Sequence, residues 1–198
     1  MIAAAALAGA ASLVFAAPAL AATEAADQTQ TISANILGNG FYCSSATPSS
    51  TDELEEGSIF TAGASGNLTS FDLPIHFTVT PGDMVASLYN VSGALPSGAA
   101  LATQTIPSAT VTPISHATLH VTFATPAHVT AGQTYAFTMK FAACGGGLQQ
   151  IDYQIGDAPA DKQIVTYVNG AWTTQALRGI SFTTYVTPVA ASSSASAS

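Results

Sequence analysis

Three groups of residues in this chain have types and spacings that could do chemistry. His116 and His120 are separated by three residues, a spacing that on a helix would turn two imidazoles toward one zinc ion. The flanking Leu119, Val121 and Phe123 alternate as a strand does, and at roughly 3.3 Å per residue the two rings would then stand about 13 Å apart. One metal does not bridge that distance, so both are read as solvent-facing positions; a site completed by His128 and a carboxylate is the lesser reading. Asp52, Glu53, Glu55 and Glu56 are a run of clustered oxygen donors suited to Ca²⁺. Their spacing matches no EF-hand loop, and a solvated acidic turn is preferred. Asp152, Asp157 and Asp161 around Gly156 form a second, looser group of the same kind. No cofactor is called for, Ca²⁺ at the acidic run being the one possibility kept.

Nucleophilic catalysis lacks its signature. Gly63-Ala64-Ser65-Gly66 has the wrong spacing for G-x-S-x-G and reads as a turn. A glycosidase needs two placed carboxylates, and Asp72 has no partner marked by spacing. The expectation is therefore a protein that is not an enzyme. Sugar recognition has better candidates, because β-sandwich modules stack sugar rings on exposed aromatics aided by Asn, Gln and Asp. Trp172, Tyr153, Tyr167 and Tyr185 are those candidates; the bland alternative has Trp172 closing one end of the core and the tyrosines covering sheet edges. Asn67-Leu68-Thr69 and Asn90-Val91-Ser92 are glycosylation sequons.

Composition limits what these groups can serve. The chain has 198 residues, 3 Lys+Arg against 11 Asp+Glu, and a net charge of -8. Three basic residues cannot build the cationic footprint that nucleic acid or an anionic membrane requires. With 48% hydrophobic residues, 9 Phe and 6 Tyr, enough apolar surface is available to offset chain entropy. An extracellular glycan or a surface protein is the expected partner, and self-association is open to uncapped edge strands with few Lys.

Residues 1–22 read as a signal peptide: an apolar, Ala-rich run reaching Pro18 and then Ala19-Leu20-Ala21, with cleavage expected after Ala21 or Ala22. No basic residue precedes the run, so either the free amino terminus supplies the charge or the true start lies upstream. The two cysteines, Cys43 and Cys144, form an even pair in an exported chain and are expected to be disulfide-bonded. Closing a loop of about 100 residues would contribute roughly 4 to 5 kcal/mol in the chain-entropy model. The expected location is secreted or extracellular, associated with the cell surface.

The elements that must hold these residues are strands. From Phe71, the residues Phe71, Leu73, Ile75, Phe77 and Val79 alternate with polar or Pro positions, a period of two that marks a half-buried strand. The period recurs at Leu119, Val121, Phe123, at Tyr135, Phe137, Met139, Phe141, and at Ile180, Phe182, Thr184, Val186. Asn169-Gly170 is a two-residue hairpin signal, and no stretch beyond residue 22 sustains a helical period. Nine or ten strands are expected, giving an all-β, antiparallel, jelly-roll-like β-sandwich over 57–186. Residues 23–56 read as an irregular N-terminal arm held by Cys43, and 187–198 as a flexible Ser/Ala tail. Thr69, Thr78, Thr118, Thr122, Thr138 and Ser181 are expected to wet the outer faces with hydroxyls.

The fragments FTAGASGNLTSFDLPI, VASLYNVSGALPSGAALAT and VTAGQTYAFTM, followed by Trp172 and ISFTTYV, resemble the choice-of-anchor type of bacterial extracellular β-sandwich domain over residues 57–186. The resemblance implies an exported surface or matrix protein with no shared catalytic residues. No LPxTG-like motif, apolar helix or basic tail follows Val186, which departs from that family's attachment pattern and favours free secretion or non-covalent surface association.

Overall fold

The structure, a computed structural model, describes residues 23–32, 37–43, 47, 49–50, 52–76, 82–110, 117–145 and 149–189. The expected signal peptide, His116, Phe77 to Thr80 and the tail from residue 190 lie outside the described residues. Among the described residues the chain forms thirteen strands, three or four more than the sequence reading counted. They are β1 (Ala25–Gln30), β2 (Leu37–Cys43), β3 (Glu53–Thr61), β4 (Gly66–His76), β5 (Met84–Ser92), β6 (Leu95–Ile106), β7 (Ala117–Val129), β8 (Thr134–Phe141), β9 (Gln149–Asp157), β10 (Ile164–Val168), β11 (Ala171–Gln175), β12 (Arg178–Ile180) and β13 (Phe182–Pro188).

The strands pair antiparallel into two sheets. One runs β1-β13-β4-β9-β12, with β2 paired to β9 and β7 to β4; the other runs β11-β10-β3-β8-β5-β6. Period-two patterning sets which face goes inward. Phe71, Leu73 and Ile75 of β4 are buried while Asp72, Pro74 and His76 are half-exposed. Leu68 is buried too, three residues from Phe71, and a register shift between Leu68 and Ser70 resets the phase so that both face the core. The sheets meet through aromatic rings: Phe71 of the first stacks on Phe137 of the second at 4.7 Å, and Phe182 meets Phe137 edge-on at 5.0 Å.

Residues 23–56 are not an irregular arm. They supply β1, which pairs with β13, β2, which pairs with β9, and the start of β3 in the second sheet. The polar run Ala25 to Gln30 carries no apolar alternation and becomes a strand because β13 offers it an edge. At the other end β13 continues through Pro188, into the span read as tail.

The Asn169-Gly170 hairpin forms as its turn chemistry requires, with φ of 51° and 78° at its two central residues and Val168 paired to Ala171. The second sheet curls strongly enough to bring its two edge strands, β11 and β6, near each other. Gly57 on β3 lies within that curl. A Cβ built there would stand 1.9 Å from the Phe137 carbonyl oxygen, so no other residue fits without moving β8.

Candidate functional site

The curl makes the outward face of the second sheet concave, and side chains gather in it. Ile59, Ala136 and Val165 form a second, small apolar cluster there, with Val91 and Trp172 packed against it. Strand alternation accounts for the composition: Ile59 on β3 sits opposite Ala136 on β8, and Tyr167 on β10 opposite Trp172 on β11. The Trp172 ring meets Tyr167 at 5.2 Å and 63°, and Tyr89 of β5 at 6.0 Å and 65°. Both are edge-on arrangements that place positive ring edges against negative faces. All three rings are half-buried.

Glu55 closes one end of this face. It is buried, accepts a hydrogen bond from the Thr138 hydroxyl and another from Tyr89 Oη at 3.4 Å, and pairs with Lys140 Nζ at 3.5 Å. Burial, and then the Glu55 charge, push the Tyr89 phenol above its ordinary pKa. A surface pocket of about 270 Å³ adjoins, lined by Leu54, Glu55, Lys140, Phe141, Tyr167 and the disulfide. Thr138, expected on a wet face, is wholly buried beneath this arrangement, and Ser181 is buried on the first sheet, where its hydroxyl accepts from the Ile32 amide at 2.9 Å.

Of the four aromatics proposed for sugar stacking, two are brought together. Trp172 and Tyr167 share the concave face. Tyr153 has no exposed surface: it points into the core from β9, beside Phe41 at 6.2 Å, and cannot stack on a ligand. Tyr185 lies on the first sheet, where its hydroxyl donates to Asp72 Oδ2 at 2.6 Å and its ring meets His120 at 6.0 Å. Tyr89 was missed, although it follows Val85 and Ser87 on the outward face of β5, an alternation visible in the sequence.

The acidic run does not converge on one point. Asp52 is buried and accepts from the Ser49 hydroxyl at 2.7 Å. Glu53 is half-buried, and burial raises its pKa. Glu55 points to the concave face, while Glu56, its neighbour on β3, points into the core and accepts from Thr166 Oγ1 at 3.1 Å. A strand sends successive side chains to opposite faces, so one Ca²⁺ ion cannot collect all four, and the run is not a solvated turn. No group of three or more His, Cys, Asp or Glu able to hold a metal occurs among the described residues.

Asp152 accepts from Gln150 Nε2 at 2.7 Å and faces His76 at 3.5 Å, whereas Asp157 is exposed at the far end of β9 and Asp161 is exposed in the turn beyond it. His120 is half-exposed with Nδ1 2.7 Å from Asp72 Oδ1, and His128 is exposed opposite Asn67. A pocket of about 230 Å³ beside Asp72 and Pro74 is lined mainly by Thr29, Gln30, Thr118 and Thr183. The sequon residues Asn67 and Asn90 are both exposed.

Cys43 and Cys144 are bonded, with Cα atoms 5.6 Å apart across a separation of 101 residues. Cys43 ends β2 in the first sheet and Cys144 follows β8 of the second, so the bond ties the sheets to each other. Beside it Phe41 packs on Phe141 at 4.8 Å. No described helix is long and apolar enough to cross a membrane. Comparison of the chain with protein-family models, with curated proteins and with solved structures finds no match.

Proposed function

We propose that this chain is an exported, non-enzymatic β-sandwich of the choice-of-anchor kind, with a structural or adhesive role at the cell surface or in the extracellular matrix. The observation that carries the reading is the Cys43–Cys144 bond between the two sheets, a device of oxidising compartments, in a chain whose residues 1–22 read as a signal peptide. Jelly-roll-like topology is part of the proposal. It is supported by the insertion of β8 between β3 and β5 while β7 lies against β4. Outward Thr118, Thr122 and Thr183 put hydroxyls on the first sheet's outer face beside Asp72 and His120, a surface suited to hydrogen bonding with other surface polymers. The test is fractionation of the native host with thiol labelling. The mature chain should be found outside the cytoplasm with no alkylatable thiol; cytosolic protein with both thiols free would end the proposal.

A second reading, a carbohydrate-binding module, is favoured by the half-buried Tyr89, Trp172 and Tyr167 rings on the concave sheet beside the Glu55–Lys140 pair. These rings keep part of their surface in solvent, and the Glu55–Lys140 pair lies nearby to supply hydrogen bonds. Glycan-array binding that is lost in Tyr167→Ala, with the unfolding midpoint retained, would establish it. Trp172→Ala serves less well because Trp172 also covers Ile59 and Val165.

A further inference from the structure

On the inner face of the second sheet three chemically complementary side chains meet. Glu56 and Thr166 are directly opposite on β3 and β10, and Gln175 reaches Thr166 diagonally from β11. Thr166 Oγ1 donates to Glu56 Oε2 at 3.1 Å, and Gln175 Nε2 donates to Thr166 Oγ1 at 3.2 Å. The hydroxyl thus lies between a carboxylate that can take its proton and a carboxamide that can take its oxygen. Thr166 is 2% exposed and Glu56 0%. Glu56 Oε1 has no hydrogen-bond partner among the described residues, an unusual expense for a buried carboxyl with a purely structural role.

We infer that Thr166 and Gln175 are a self-processing pair, joined by an intramolecular ester that Glu56 promotes. Thr166 Oγ1 attacks Gln175 Cδ; the new O–C bond forms as the C–N bond breaks. The hydroxyl proton passes to Glu56 and from it to the departing nitrogen, which leaves as ammonia. No oxidant, metal or second substrate is consumed. The logic is that of an activated nucleophile, in which a weak hydroxyl is made reactive by an adjacent base held in hydrogen-bond reach. Rotation about the broad terminal torsion of Gln175 turns the carboxamide from the in-plane hydrogen bond to face-on attack. Burial raises the pKa of Glu56 well above the ordinary glutamate range, so its ionised form, the one that takes the Thr166 proton, is a stronger base than an ordinary carboxylate. Gln175, half-exposed at the sheet edge, gives ammonia a way out. The bond would staple β11 to β10 beyond the Asn169-Gly170 turn, converting an edge hairpin into a closed loop independently of any ligand on the concave face.

The test is the intact mass of the denatured full-length mature protein after purification and incubation. Wild type should be lighter than its disulfide-bonded sequence by about 17 Da, the ammonia released in acyl transfer. Thr166→Val and Gln175→Leu should each restore the sequence mass, Thr166→Ser should keep the loss, and Glu56→Gln should slow its appearance. Hydroxylamine should open the ester and leave the chain intact. Wild type at full sequence mass after prolonged incubation would overturn the inference. So would a loss that persists in Thr166→Val, or hydroxylamine cleavage at Asn169-Gly170, since both assign the missing ammonia to a succinimide in the turn.

Discussion

Removing the disulfide should lower stability by an amount set almost wholly by the unfolded chain. The bond joins Cys43 and Cys144 across 101 residues, a loop that includes β3 to β8, four strands of the second sheet and two of the first. In the chain-entropy model, closing about 100 residues is worth about 4.7 kcal/mol at 25 °C. The contacts around the sulfurs add little, since Phe41 and Phe141 keep each other when both cysteines become Ala. The variant is therefore Cys43→Ala/Cys144→Ala, and the assay is urea unfolding followed through the single Trp172. With a slope of about 2 kcal/mol per molar urea for a domain of this size, the midpoint should fall by roughly 2.4 M. The slope itself should rise, because an uncrosslinked unfolded chain exposes more surface. Reductant should shift wild type to the same midpoint and leave the double variant unmoved. A shift below about 0.5 M, or about 1 kcal/mol on that slope, would refute the argument that the bond acts by restraining the unfolded state.

Glu56 should make stability fall with rising pH. Its folded pKa is raised by burial, then by Glu53, so stability is full below the ordinary glutamate range and is lost as pH climbs from there toward the folded value, with a slope of about 1.4 kcal/mol per unit. Chemical denaturation at a series of pH values in a Thr166→Val background should show that slope and Glu56→Gln should remove it; an unchanged slope would mean that Glu56 is ionised in the fold. Tyr153 Oη is buried without a partner among the described residues, so Tyr153→Phe should be neutral or stabilising by about 1 kcal/mol, and a thermal scan showing clear destabilisation would reveal a partner. Gly57→Ala should destabilise by roughly 2 kcal/mol or more through the clash with the Phe137 carbonyl, and a midpoint within error of wild type would show that β8 yields freely.

What the sequence could and could not reveal follows from where the apolar residues fall. Phe71, Leu73 and Ile75, or Tyr135, Phe137, Met139 and Phe141, alternate cleanly, and they are buried in the core as that period demands. The same rule hides β1, because AADQTQ pairs with β13 without an apolar face of its own, and β2, where two glycines interrupt LGNGFYC before Phe41 and Cys43 enter the core. Such edge strands are specified by the partner that receives them, and no local pattern encodes a partner. The hairpin at Asn169-Gly170 was legible because Asn and Gly tolerate positive φ without help from a partner strand. The concave face was half-legible: Trp172 and Tyr167 adjoin the turn, but Tyr89 joins them only through the curl of the whole second sheet, which no local pattern encodes.

The acids 52–56 invert the usual inference from charge to solvent. In a chain with only 3 Lys+Arg, an acidic run has few salt-bridge partners and should seek water. Here the run begins a strand whose neighbours are rich in hydroxyls, and hydroxyls take over the role that cations usually fill. Thr138 donates to Glu55, Thr166 to Glu56 and Ser49 to Asp52, while Lys140 serves Glu55 alone. The replacement differs chemically from an ion pair. A cation holds a carboxylate ionised and inert, whereas a hydroxyl leaves it basic and offers it a proton to remove. The scarcity of basic residues therefore accounts for a reactive geometry at Glu56 and Thr166, where a lysine in Thr166's place would have produced an ordinary buried ion pair.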